Sequence, residues 1–299
     1  MVSIIIPTFN YGKFLTDTLQ SVKNQSYKDW ECIVIDDGSM DNTRDVVNNF
    51  VVSDNRFKYI YQANEGVSSA RNAGIKESVG HFIQFLDGDD LLQEDKIKSQ
   101  VDAFTNYPNI DIVYNEVRFF DDGNQAQLRT SLNGDKPDNW MPKLSTKGTE
   151  IVKQFSKINF LVMNSPLTKK SVFTKVGFFD ESMKALEDWD FWMRCALGNC
   201  YFYFNEQKNS LALVRVHKGS LSTEKTLMAK GNFMFLEHTL THNNCKQKFK
   251  IILVLKYIEL YWNSVFSKSF VPQQPVILRL ILILSLPVYS IIKLVRSVK

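Results

Sequence analysis

Cysteine is scarce in this 299-residue chain, and the four present, Cys32, Cys195, Cys200 and Cys245, form no C-x-x-C pair and have no histidines at zinc-site spacing. That excludes a zinc ribbon and points to reduced, buried thiols in a cytosolic setting. No secretion signal is expected at the start, because MVSIIIPTFN reaches Pro7 after a few apolar residues with no basic flank. No internal period suggests repeats. The net charge is only +4, too mild for the dense basic face that a nucleic-acid partner needs. Even that excess is local. From Lys246 to Lys299 there are nine Lys or Arg against a single acid, Glu259.

With 44% hydrophobic residues the chain has enough apolar content for a substantial core. Residues 2–6 (VSIII), 31–35 (ECIVI), 57–61 (FKYIY), 81–86 (HFIQFL) and 111–119 (DIVYNEVRF) are rich in β-branched and aromatic side chains, so they are predicted strands. Between them lie one-sided apolar patterns: Phe14, Leu15, Leu19 and Val22; Val46, Val47 and Phe50; Ala70, Ala73 and Ile75; Ile97, Val101 and Phe104. These predict helices. Alternating strands and helices imply a mostly parallel α/β sheet, whose ligands gather outside the carboxyl ends of the strands.

Residues 120–147 lose periodicity and predict a long loop or lid. GTEIVKQFSK, SVFTKVGFFDE and EDWDFWMRCAL then predict helices, and YFYF and LALVRVH predict strands. The chain divides into 1–222, with a nucleotide-binding half at 1–110 and an acceptor-side half at 111–222, and a helical region at 223–299. Two apolar segments with basic flanks occupy that last region. The second is short for a membrane span and contains Arg279 and Pro287, so it suits an interfacial helix or one packed on the domain or a second subunit.

Three predicted strand ends carry polar groups: Pro7-Thr8-Phe9-Asn10, Asp36-Asp37-Gly38-Ser39 and Asp87-Gly88-Asp89-Asp90. The second suits a base or ribose, although Ser39 and Asp41 are equally suited to ordinary helix capping. Arg71, in a helix that opens after Asn64-Glu65-Gly66, suits either a phosphate or solvent. At the third end, carboxylates crowd one another where burial and like charge disfavour ionisation. Mg²⁺ or Mn²⁺ would remove that repulsion, since such hard cations take oxygen ligands and keep positions for water and phosphates.

The string SIIIPTFNYGKFLTDTLQSVKNQSYKDWECIVIDDGSMDNT, then NEGVSSARNAGI, FLDGDD and ALEDWDFWMRC, resembles the inverting family 2 glycosyltransferases of GT-A fold over residues 1–220. The resemblance implies transfer of a sugar from a nucleotide diphosphate, commonly UDP, to an acceptor hydroxyl with inversion. It implies that Pro7, Thr8 and Asn10 line the nucleoside pocket, Asp37 meets the base, and Arg71 meets the base or diphosphate. Asp87 would contact ribose or donor sugar, and Asp89 the divalent metal. Asp188 matches the family's general base, with Glu187 holding the base or the acceptor and Asp190 as second choice. An inverting displacement needs such a carboxylate within reach of the nucleophile.

LVRVHKGSLS resembles a segment of such enzymes in which a histidine follows the last core strand, which implies His217 as a metal or diphosphate ligand, a structural role being the alternative; Arg215 is a second candidate for the phosphates. Asp90 is left open as a second metal ligand, and Trp189 and Trp192 as sugar-stacking or core residues. The implied acceptor is a glycan or lipid-linked glycan at the inner face of the cell membrane, where the protein would be a peripheral, oligomeric or monomeric enzyme of surface polysaccharide synthesis. The competing class is a non-catalytic nucleotide-sugar binder, against which Glu187 and Asp188 stand. The Gly-rich amino-terminal loop of a sugar-nucleotide pyrophosphorylase and the several long spans of a processive synthase are both missing.

Overall fold

A computed structural model describes residues 1–131, 140–217 and 225–266. The chain forms two compact units, Met1–Ser220 and Leu221–Lys299.

The first unit is built on a seven-stranded sheet. It contains β1 (Val2–Thr8), β2 (Trp30–Asp36), β3 (Phe57–Tyr61), β4 (Phe82–Phe85), β6 (Ile112–Tyr114), β9 (Leu167–Lys169) and β10 (Phe202–Phe204), in the order β10-β6-β9-β4-β1-β2-β3. All pairs are parallel except those of β9, which runs antiparallel to both β4 and β6. The central strands β1 and β2 are buried at every position, which is why they read as unbroken apolar runs rather than as alternation.

Helices α1 (Gly12–Lys23), α2 (Thr43–Ser53), α3 (Val67–Glu77) and α4 (Lys96–Asn106) connect the strands. On α1 the predicted stripe of Phe14, Leu15, Leu19 and Val22 is buried, each side chain contributing about 1.5–3 kcal/mol. Helix α3 packs on β1 and β2 through Gly74, where a Cβ would lie 2.3 Å from Ile5 Cγ2. That close approach brings Arg71, one turn earlier, under the carboxyl ends of the strands.

A second sheet, ordered β5-β11-β7-β8, comprises β5 (Leu91–Leu92), β7 (Val117–Asp121), β8 (Asn124–Arg129) and β11 (Ala212–Val216). Leu91 and Leu92 pair antiparallel with Leu213 and Ala212. The acidic turn that precedes β5 is therefore carried alongside the residues that follow Leu213. This register assembles much of the site.

Two expectations are corrected here. Residues 111–119 are not one strand: buried Asn115 leaves the first sheet, donating from Nδ2 to Asn205 O (2.7 Å) and Ser210 Oγ (2.8 Å), and the chain resumes as β7 in the second. The start of the predicted lid is a hairpin, with β7 and β8 antiparallel; residues 132–139 lie outside the described residues.

Helices α5 (Thr149–Phe155), α6 (Ser171–Val176) and α7 (Glu187–Leu197) complete this unit, and all four cysteines of the chain are buried and free. In the second unit α8 (Lys225–Thr241) packs on α9 (Gln247–Phe266), with Phe233 and Tyr257 edge to face and Tyr257 Oη donating to Glu237 at 3.0 Å. Among the described residues no helix is long and apolar enough to cross a membrane. The second apolar segment of the tail, with Arg279 and Pro287, lies outside them.

Candidate active site

Polar side chains converge at the carboxyl ends of β1, β2 and β4. Pro7 and Thr8 close β1, both buried, and Thr8 Oγ1 has no protein partner among the described residues. Asn10 follows with a φ of 57°, a left-handed conformation that asparagine tolerates. Its Oδ1 accepts from Met40 N (2.9 Å) and its N–H donates to Ser39 Oγ (2.8 Å). Ser39 therefore ties two strand ends together and does not cap α2; Asp41 receives the Thr43 N–H at 3.0 Å.

Asp37 is buried and accepts from Gln62 Nε2 (2.8 Å), Glu65 N (2.9 Å) and Gly66 N (2.8 Å). Gly66 takes a φ of 99°, which a side chain would strain, and so turns its amide toward the carboxylate. Three donors engage the Asp37 carboxylate, which pins the loop at Glu65 and Gly66 beside the end of β2.

Arg71 is buried on α3. It donates from Nη2 to Asp87 (3.0 Å) and from Nη1 to Glu187 (2.5 Å). The guanidinium expected to meet a base or phosphate thus links the acidic turn after β4 to the first turn of α7.

Within the acidic turn the carboxylates divide the work. Asp90 is fully engaged: Arg215 N donates to Oδ1 at 2.7 Å and Asn164 Nδ2 donates to Oδ2. Burial first, then the charges of Asp89 and Asp87, push its carboxyl well above the usual range. Asp89 is pushed up by burial and by Asp87, while its contact with His217, Nε2 to Oδ2 at 2.8 Å, opposes the rise. Asp87 is half-buried, its N–H donating to Asn164 Oδ1 at 2.8 Å. His217 packs against Phe14 and the edge of Tyr11, so its imidazole is fixed beside Asp89.

Arg215, the second candidate for the phosphates, is engaged by two carboxylates and a backbone carbonyl. Its guanidinium reaches Asp122 (2.9 Å), Asp17 (3.0 Å) and Asp89 O (2.8 Å), and lies 4.9 Å from the ring centres of both Phe14 and Phe120. It braces the backbone of the acidic turn.

Across from that turn, α7 opens with Glu187, Asp188 and Asp190, acids that the helix dipole favours at an N-terminus. Leu186 before it has a φ of 60°, an uncommon conformation for a non-glycine residue. Asp188 is half-buried; its Oδ1 accepts from Trp189 N (2.7 Å) and its Oδ2 from Asn159 Nδ2 (3.0 Å). Burial and then the charge of Glu187 raise its pKa to about 7, against the Asn159 bond and the charge of Arg71. Asp190 is tied to Arg194 at 2.8 Å, Trp192 is in the core, and Trp189 donates to Phe155 O, so none of these three offers itself to a substrate.

The chemistry available is a proton acceptor near neutrality, linked through Glu187, Arg71 and Asp87 to a crowded carboxylate–imidazole group. The glycosyl transferase family 2 model matches residues 3–177, more than half of the chain. This chain belongs to glycosyl transferase family 2. An uncharacterized glycosyltransferase of Rickettsia typhi is 33% identical over 205 residues, covering 68% of this chain and 61% of that relative. A putative teichuronic acid biosynthesis glycosyltransferase, TuaG of Bacillus subtilis, is 37% identical over 103 residues, 34% of this chain and 41% of the relative. This family 2 chain therefore spans less than two thirds of either relative.

Among solved structures, S. aureus TarS 1-349 in complex with UDP-GlcNAc gives a TM-score of 0.67 at 18% identity, covering 88% of this chain and 72% of that one. The mannosyltransferase PcManGT of Pyrobaculum calidifontis, in complex with GDP-Man and Mn²⁺, gives 0.65 at 16% identity, covering 87% and 71%. At such identities the likeness shows the fold, and it is the mixed, mostly parallel GT-A sheet expected from the sequence.

Sequence reasoning missed Asn159 and Asn164. Both lie in a stretch without period or motif, and each acts through a side-chain amide at a position that only tertiary contact reveals.

Proposed function

We propose that this family 2 protein transfers a sugar from a nucleotide diphosphate, in the first instance a UDP-sugar, to an acceptor hydroxyl with inversion, and that Asp188 is the general base. The observation carrying this is the pKa of about 7 at Asp188, beside Glu187 and joined through Arg71 to Asp87. A carboxylate poised near the working pH is what base catalysis asks for.

The acceptor hydroxyl donates to Asp188. As its oxygen bonds to the anomeric carbon, the bond from that carbon to the diphosphate breaks, the electron pair leaves on the phosphate oxygen, and the proton passes to the Asp188 carboxylate. Pro7, Thr8, Asn10 and the loop pinned by Asp37 border the nucleoside pocket, and Asp87 faces the ribose or donor sugar.

A divalent metal fits the residues present. Asp89 and His217 supply one oxygen and one nitrogen donor 2.8 Å apart, and a cation would relieve the crowding that raises the Asp89 carboxyl. Among the described residues no group of three or more Asp, Glu, His or Cys side chains is arranged to hold a metal ion. Asp90 is spent on Arg215 and Asn164 and takes no part. When bound, the metal supplies Lewis-acid stabilisation of the departing diphosphate.

The name of the Bacillus subtilis relative, together with the basic apolar tail, supports an acceptor in surface polysaccharide synthesis, glycan or lipid-linked, reached at the inner face of the membrane. The test is a panel of nucleotide sugars with Mn²⁺ or Mg²⁺. Slow metal-dependent release of UDP from one of them is expected; no binding or turnover of any donor overturns the reading.

A further inference from the structure

Asn159 stands outside every motif in the chain, yet among the described residues it makes the one side-chain hydrogen bond that Asp188 receives from another element. Its Nδ2 donates to Asp188 Oδ2 at 3.0 Å, while Trp189 N holds Oδ1 at 2.7 Å. One donor on each oxygen fixes the carboxylate plane and leaves each oxygen a free lone pair. We propose that Asn159 is a positioning residue for proton abstraction, holding the Asp188 carboxylate in a fixed orientation toward the acceptor hydroxyl.

Its surroundings are built for this. Phe155 and Phe160, on either side of Asn159 in the chain, stack at 4.5 Å and are wholly buried, so the backbone that carries the amide cannot drift. Trp189 Nε1 donates to Phe155 O at 2.9 Å, tying the same segment to α7 one residue beyond the base. Meanwhile Asn159 Oδ1 is buried with no protein partner among the described residues. Turning the amide over would set that oxygen against a carboxylate oxygen at 3.0 Å, so the side chain satisfies Asp188 and leaves its own carbonyl unpaired. The unpaired carbonyl carries a desolvation cost, which the charge-assisted bond to Asp188 offsets.

The charged groups bearing on Asp188 are Glu187 on its own helix and Arg71 on α3. Of the helices packed on α7, α5 carries exposed Glu150, taken by Thr146, and exposed Lys153, while Lys175 on α6 lies by Cys200. Asn159 brings a neutral donor to Asp188, and its bond holds the carboxyl down against burial and Glu187.

This inference rests on Asp188 as the base, and the test separates the two. Asn159→Ala removes the donor; Asn159→Asp keeps the shape, so it guards against a folding failure, and sets a second carboxyl against the first. The Asp188 carboxyl is titrated by ¹³C NMR in the free protein, its signal identified by its loss in Asp188→Asn. The pH limb of UDP release from the nucleotide sugar selected in the donor panel is measured alongside. Both variants should move the titration and the limb to higher pH, by about one unit for Asn159→Ala and further for Asn159→Asp, with roughly tenfold slower turnover at pH 7 and unchanged binding of UDP with Mn²⁺. If Asp188→Asn is inactive but the limb stays put in both Asn159 variants, the base stands and the positioning role falls. If Asp188→Asn turns over like the wild type, the base reading itself fails, and the positioning role with it.

Discussion

One guanidinium, that of Arg71, bonds at once to Asp87 at 3.0 Å and to Glu187 at 2.5 Å, joining the end of β4 to the start of α7. Asp87 lies 16 residues and Glu187 116 residues away from it in the chain, and Arg71 itself is buried. The acidic turn after β4 and the first turn of α7 therefore share one cation.

Arg71→Met should leave Glu187 buried without its partner and cost about 3–5 kcal/mol in urea denaturation, with loss of turnover. Arg71→Lys should not restore activity, because an ammonium is a point charge and cannot span both partners with a planar fork. Wild-type turnover in Arg71→Lys would show that the bridge is not needed.

Activity should follow the ionisation of Asp188. Below pH 7 the base is protonated, so kcat/KM should fall about tenfold per pH unit and level off above neutrality. Stability should run the other way. The unfolded carboxyl titrates near 3.9 and the folded one near 7, so the native state holds the extra proton between those values, and the group's contribution is lost as pH rises toward 7. Asp188→Asn should therefore gain stability over the wild type in going from pH 5 to pH 8, on the order of 2 kcal/mol for a half-buried carboxyl. Chemical denaturation at the two pH values checks the sign.

Asp89 and Asp90 should behave differently despite being neighbours. Asp89→Ala should weaken metal-dependent UDP binding while the protein stays folded, and a chelator should do the same to the wild type. Asp90→Ala should instead lower thermal stability, since it strips Arg215 N and Asn164 Nδ2 of their acceptor, at about 1–3 kcal/mol for each buried group. Melting curves and UDP titrations with Mn²⁺ distinguish the two.

Much of this was legible in the sequence, and the pattern of what was not has physical causes. Strands such as VSIII and ECIVI are buried on both faces, so composition alone marks them, and the polar residues that follow mark the ligand side. The split of 111–119 was hidden because both halves are largely apolar, and the bonds of Asn115 to Ser165, Asn205 and Ser210 that separate them are tertiary. For Arg215, a second candidate for the phosphates, the sequence shows the charge and not the carboxylates of Asp17 and Asp122, which meet it from far along the chain. Asn159 and Asn164 carry no charge and sit in no period. Their roles come wholly from what they meet.

The most direct test of the central claim compares Asp188→Asn with the wild type in a single turnover, with Mn²⁺ and the selected nucleotide sugar, alongside calorimetric titration of UDP. The variant should bind UDP with the wild-type dissociation constant and transfer sugar at least about 10²-fold more slowly. Transfer at the wild-type rate by a variant that binds UDP normally would contradict that claim.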